Sequence, residues 1–325
     1  MTMDPALTSG ANQLTTWTSS PVADLLIASV SLGYLTLLIR LRRSGRSWSP
    51  ARAVSVVAAA GTLVLIVNSP LAIYSCQLFW VHMIVHLLLI TVVPALLVWA
   101  QPIRLLHSAG GPVVRARIDT LRTGRPLRWL ITPRLTVPLY AAVLVLTHLT
   151  GFQQAMSQHM WIHNSELVLY LITGYLLLLP LAGDELTTDP PLASFLAFVV
   201  VMLCMGPDTL VGVVLMMSNS ALAPAYAASR DWGPTALADQ STAGAIMWFA
   251  GDGLMMILMV VIGGRWIARR DGAGNSLGPW LDRIRRQTTL GADADSSIDL
   301  DDDDAALTAY NARLAAMYGR NGPKA

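Results

Sequence analysis

The chain has 325 residues, of which 54% are hydrophobic and only 13% charged, with a formal net charge of +2. A soluble domain carries about 25% charged residues, so this composition and the mean hydropathy of +0.53 exclude water as the solvent of most of the chain. So small a net charge says little about partners; the lipid bilayer is the expected one, and no nucleic acid is.

Residues 1–21 contain Asp4 but no Lys or Arg, so they lack the basic n-region of a cleavable signal peptide. They are expected to form an extracytoplasmic N-terminal segment, followed by a transmembrane domain over 22–270. A spanning helix needs about 20 apolar residues. Scanning at that length predicts an all-α, polytopic protein with seven transmembrane helices, at 22–40, 52–73, 78–100, 135–156, 160–181, 193–217 and 243–265. The apolar runs are unbroken rather than alternating, which points to helices and not to a barrel. Pro70, Pro94, Pro138 and Pro180 punctuate them. Cys76 and Cys204 lack Cys-x-x-Cys spacing and read as two apolar helix residues.

Basic residues set the orientation. Arg40, Arg42, Arg43, Arg46 and Arg52 lie in the first connection, and Arg104, Arg115, Arg117, Arg122, Arg125, Arg128 and Arg134 in the third. Arg265, Arg269 and Arg270 follow the last helix, which leaves Arg230 for the other side. The positive-inside rule then predicts an N-terminus outside and a cytoplasmic C-terminus. The tail, 271–325, is expected to be cytoplasmic and partly disordered. It has an acidic run ending at Asp304 and a possible short amphipathic helix over 305–318.

Histidine is the chemistry-bearing residue type. His82 and His86 fall on the third predicted helix, His148 near the end of the fourth, and His159 and His163 at the start of the fifth. Ionisable groups at membrane depth are costly and mark function, and both pairs have the four-residue spacing that stacks side chains on one helix face. With the predicted topology all five gather in the outer leaflet, where imidazoles can hold a metal ion. His107, in the basic cytoplasmic loop, receives no role.

Met247 is a further candidate ligand, and Met83, Met156 and Met160 neighbour the histidines. Imidazole with thioether suits copper, above all Cu(I), although zinc would also accept the histidines. Asp208, Asp239, Gln240 and Asp252 are expected in structural or outer-sphere roles, with Asp239 and Gln240 preceding the seventh helix.

These residues carry a resemblance. The stretch His82-Met83-Ile84-Val85-His86-Leu87-Leu88-Leu89, then Pro94 and Gln101-Pro102, the later His159-Met160-Trp161-Ile162-His163, and Asp239-Gln240 before Ala243-Gly244-Ala245-Ile246-Met247-Trp248 together resemble the CtaG family of caa3-type cytochrome c oxidase assembly factors. The similarity runs from about Leu71 to Gly264. It implies a multi-pass protein of the bacterial plasma membrane that helps to assemble a haem–copper oxidase. Its partners would be oxidase subunits, and the implied role is delivery of copper at the outer face as a chaperone, not an enzyme. Val85, Ile162 and Ala243 depart from residues common in the family.

The expected chemistry is therefore Cu(I) held by neutral imidazoles and passed on by ligand exchange, with no haem. Two alternatives belong to other classes. A membrane cytochrome would use paired histidines on haem, and a copper transporter would need polar residues continuing to the cytoplasmic side.

Overall fold

A computed structural model describes residues 16–182 and 194–272, together with Thr308 and Asn311. The chain divides into two units, Met1–Gly263, which carries the histidines, and Gly264–Ala325. The acidic run and the helix expected over 305–318 lie outside the described residues, apart from those two positions. Among the described residues every regular element is helical.

Helix α1 spans Pro21–Arg43 and α2 spans Pro50–Asn68, each with proline in its first turn, where the missing N–H costs nothing. The second expected span ends earlier than 73: the Ser69 side chain accepts a hydrogen bond from Leu71 N and Pro70 opens a separate short helix, α3 (Pro70–Tyr74). Helix α4 (Phe79–Leu87) runs through a π turn at Leu88–Val92 into α5 (Val93–Ala100). Pro94 explains that turn, since it has no N–H to offer the Ile90 carbonyl four residues back. Gln101, at φ 51, breaks the rod before α6 (Pro102–Ala109). The freed Ala100 carbonyl accepts a hydrogen bond of 2.9 Å from Tyr34 Oη.

The basic third connection is itself helical, with α7 (Pro112–Thr123) and α8 (Arg125–Leu130) following α6. Helix α9 covers Pro133–His148 and α10 covers Phe152–Gln158. A single span over 135–156 was expected, and the structure divides it. Thr150 turns the chain, donating from Oγ1 to Leu146 O and accepting from Phe152 N. Helices α11 (Met160–Ala182) and α12 (Ser194–Met217) match two expected spans closely. After the short α13 (Ala225–Ala228) come α14 (Ala236–Ala245), a second π turn at Ile246–Ala250 and α15 (Gly251–Gly272). This last rod begins seven residues before the expected 243, because Thr235 caps it by accepting from Ala238 N. Asp239 and Gln240 therefore lie inside the helix and not ahead of it.

Six helices among the described residues are long and apolar enough to cross a membrane. The expected span missing from these six is the fourth, over 135–156, where α9 has 16 residues and reaches about 24 Å, short of the roughly 30 Å of a hydrocarbon core. Burial orders the bundle. Of the most apolar 18 residues in each rod, 72% are buried in Phe79–Ala109 against 11% in α1 and in α2. The rod that bears His82 and His86 is thus the central one, with α2, α11 and α14 packed around it and α9 and α12 against α11 and α14 in turn. Gly212 on α12 and Gly244 on α14 meet backbone to backbone, each lying where a Cβ on the other would strike its carbonyl at 2.8 and 2.6 Å.

Candidate metal centre

His82 and His86 stand on successive turns of α4 with ring centroids 4.1 Å apart, both fully buried. One face of α11 is turned to them: His163, Glu166, Tyr170 and Gly174 recur at three- and four-residue spacing. The His163 ring lies 5.5 Å from that of His82, and Tyr170 stacks on His86 at 3.9 Å. Glu166 reaches between the histidine pair, its Oε2 3.3 Å from His82 Nε2 and its Oε1 3.4 Å from His86 Nε2. Ligand atoms of His82, His86 and Glu166 all lie within 4.8 Å of one another.

His148, the last residue of α9, closes the group from the other side. Its Nδ1 is 2.8 Å from Leu144 O, and its Nε2 is 3.2 Å from His86 Nδ1. A carbonyl only accepts, so the His148 proton sits on Nδ1 and Nε2 keeps its lone pair. That nitrogen in turn accepts from His86 Nδ1, which leaves His86 Nε2 without a proton where it meets Glu166. An imidazole lone pair and a carboxylate oxygen thus face each other in a dry interior. Neither has anything to donate, and a cation between them is what such a pair lacks.

Unpaired atoms agree with this reading. His82 Nδ1 and Nε2, His86 Nε2, Glu166 Oε2 and His163 Nδ1 have no hydrogen-bond partner within the protein. Two imidazoles and a carboxylate form a donor set that divalent ions of the first transition row accept, so these residues fit a metal ion. Gln153, fully buried on α10, donates to Glu166 Oε1 at 3.1 Å and orients the carboxylate. Thr147 Oγ1 contacts both Tyr170 Oη at 2.6 Å and His148 Nδ1 at 3.1 Å.

The other candidates are dispersed. His159 is exposed at the C-cap of α10, away from the buried group. Met247 is buried in the bundle core on the second π turn, and a thioether in contact with the histidines comes from Met83, whose Sδ is 3.2 Å from His148 Nε2. Met156 is buried and Met160 exposed.

Asp239 serves the helix that carries the pair. Its carboxylate accepts from Phe79 N at 3.1 Å and Trp80 N at 2.9 Å, capping α4, and pairs with Arg230 at 3.0 Å. Arg230 also donates to Gln77 O at 3.1 Å and to Trp232 O. Gln240 accepts from Leu222 N at 2.7 Å and donates to Leu215 O and Ser220 O. Asp208 accepts from Tyr140 Oη at 2.8 Å, and Asp252 from Thr209 Oγ1 at 2.9 Å. His107 pairs with Asp119 at 3.0 Å at the surface.

Glu166 and Gln153 are the centre's residues that sequence reasoning passed over. The signal for Glu166 was present, since His163-x-x-Glu166 puts an acid on the histidine face of an apolar helix.

Two relatives extend over nearly the whole chain. The uncharacterized protein ML1998 of Mycobacterium leprae (strain TN) is 26% identical over 313 residues, covering 93% of this chain and 45% of its own length. The uncharacterized protein Mb0105 of Mycobacterium bovis (strain ATCC BAA-935 / AF2122/97) is 25% identical over 327 residues, covering 94% of this chain and again 45% of its own. The chain thus spans less than half the length of these curated relatives. No solved structure matches it. A family model described as cytochrome c oxidase caa3 assembly factor matches residues 32–269, and with the apolar helical bundle this makes the chain a multi-pass membrane protein that belongs to the Caa3_CtaG family.

Proposed function

We propose that this protein assists assembly of a haem–copper cytochrome c oxidase by holding a copper ion near the outer face of the membrane and passing it by ligand exchange to an oxidase subunit. Family membership supports the assembly role. The observation that carries the copper part is the buried set of His82 Nε2, His86 Nε2 and Glu166 Oε2, metal-ligating atoms with no hydrogen-bond partner. The basic connections, on the opposite side of the bundle from the start of α4, support an outward-facing site. A haem would need a macrocycle between facing imidazoles, whereas His86 and His148 already touch at 3.2 Å, which favours a single ion. Holding and handing over an ion requires no catalysis.

The test is complementation of a deletion strain at limiting copper. Wild type restores oxidase activity and oxidase-bound copper, and Glu166→Gln and His82→Ala restore neither although the protein accumulates in the membrane. Full restoration by both variants would sink the copper role, and full oxidase activity in the deletion strain itself would sink the assembly role.

A further inference from the structure

We propose a second, softer subsite beside the carboxylate-bearing group: Met83 Sδ and His148 Nε2 form a thioether–imidazole pair that holds Cu(I), while His82, His86 and Glu166 hold a divalent ion. The inference rests on the copper reading only for the identity of the ion.

Met83 and His148 are both fully buried, and their Sδ and Nε2 atoms are 3.2 Å apart. The Leu144 carbonyl keeps the His148 proton on Nδ1, so Nε2 presents a lone pair, and a thioether has no proton to give. Sulfur and nitrogen are therefore two electron donors in contact with no hydrogen bond between them. Their spacing is close to what one ion requires. With metal–nitrogen and metal–sulfur bonds of about 2.0 and 2.3 Å, tetrahedral geometry puts the two donors about 3.5 Å apart. Thioether and imidazole without carboxylate select Cu(I), whereas the oxygen of Glu166 moves its own group towards divalent ions.

His86 separates the two sets, with Nε2 towards Glu166 and Nδ1 towards His148. When Cu(I) enters the softer pair, the hydrogen bond from His86 Nδ1 to His148 Nε2 breaks. The Nε2 lone pair goes to the ion, and the proton stays on His86. No electron is transferred, because the ion arrives already reduced.

The experiment uses full-length protein in detergent, loaded anaerobically with Cu(I) against a competing chelator, and separately with Zn(II). X-ray absorption at the copper edge of the wild type is expected to show a sulfur scatterer at about 2.3 Å. Met83→Leu should lose that scatterer and at least tenfold in Cu(I) affinity while binding Zn(II) as wild type does, which also reports its fold. Glu166→Gln should do the reverse. If Met83→Leu fails to fold, His148→Gln replaces it, with the same loss expected.

Wild-type copper bound by nitrogen and oxygen alone, or sulfur scattering that survives Met83→Leu, would overturn the subsite and leave the copper reading standing. Equal loss of both ions in a folded Met83→Leu would overturn the separation into two subsites. Wild-type protein that binds neither ion overturns the copper reading with it.

Discussion

Gly174 on α11 lies directly against the carbonyl of Ile90 on the π turn, so closely that a Cβ at position 174 would overlap that oxygen and stand 2.8 Å from the Pro94 ring. Pro94 removes the usual donor four residues on from the Ile90 carbonyl and Gly174 admits that carbonyl, so α11 approaches the central rod closely enough for Glu166, two turns earlier, to reach His82 and His86. Gly174→Ala is expected to force the helices apart at the upper end of the about 1–3 kcal/mol typical of overpacking, and to weaken metal binding. Gly33→Ala, where nothing lies within 4 Å, is the control. Thermal unfolding in detergent reads both, and an unchanged Gly174→Ala would show that the contact does not position α11.

Asp239 and Arg230, 2% and 3% exposed in their side chains, anchor the start of α4 from another element. Removing one member of such a buried pair costs about 3–5 kcal/mol, because the other charge stays behind unpaired. Asp239→Leu adds the lost cap on Phe79 N and Trp80 N. The double variant Asp239→Leu/Arg230→Met is expected to unfold well above the temperature that the summed single losses imply. Additive losses would mean that the two side chains act separately.

Zn(II) affinity, which reads the group that bears the carboxylate, should respond to position within the cluster. Glu166→Gln keeps the shape and the Gln153 contact but loses the anionic ligand, and at least a tenfold weakening is expected in a competition titration. Gln153→Leu removes only the hydrogen bond that orients Glu166, a change of about 10-fold to 100-fold where such outer contacts have been severed. His159→Ala, at an exposed residue, should leave affinity unchanged. A loss at His159 equal to that at Glu166 would contradict the arrangement.

Orientation has a built-in probe, since Cys76 is exposed ahead of α4 and Cys204 is buried. With the N-terminus outside, a membrane-impermeant maleimide labels intact cells at Cys76 alone, and Cys76→Ser abolishes the signal. Desolvation raises the Cys76 thiol above its ordinary value, the larger effect, and a hydrogen bond involving Ser75 lowers it. The thiolate is the reactive form, so the labelling rate should still climb with pH beyond about 8.5, where an unperturbed thiol would be levelling off. Labelling only in inverted vesicles would reverse the topology.

The sequence by itself determined the class of the protein and much of its outline. Long apolar runs have one stable form in lipid, the helix, because every backbone group must be satisfied locally, and α1, α11 and α12 begin and end within a few residues of where hydropathy puts them. The four-residue spacing of His82 and His86 guaranteed a shared face on any helix. Hydropathy could not show the interruptions at Ser69, at Thr150 and at the π turn beside Pro94, since single hydroxyls and one missing N–H decide them locally. Nor could it separate His163 from His159. Both precede the same apolar run, but the chain turns at His159 before α11 begins, and only the packing of α11 on the central rod turns His163 and Glu166 inward. Which atoms end as unpaired donors depends on partners up to 84 residues apart, as for His82 and Glu166. That is a property of tertiary packing, because a lone pair is left over only after every neighbour has been assigned its proton.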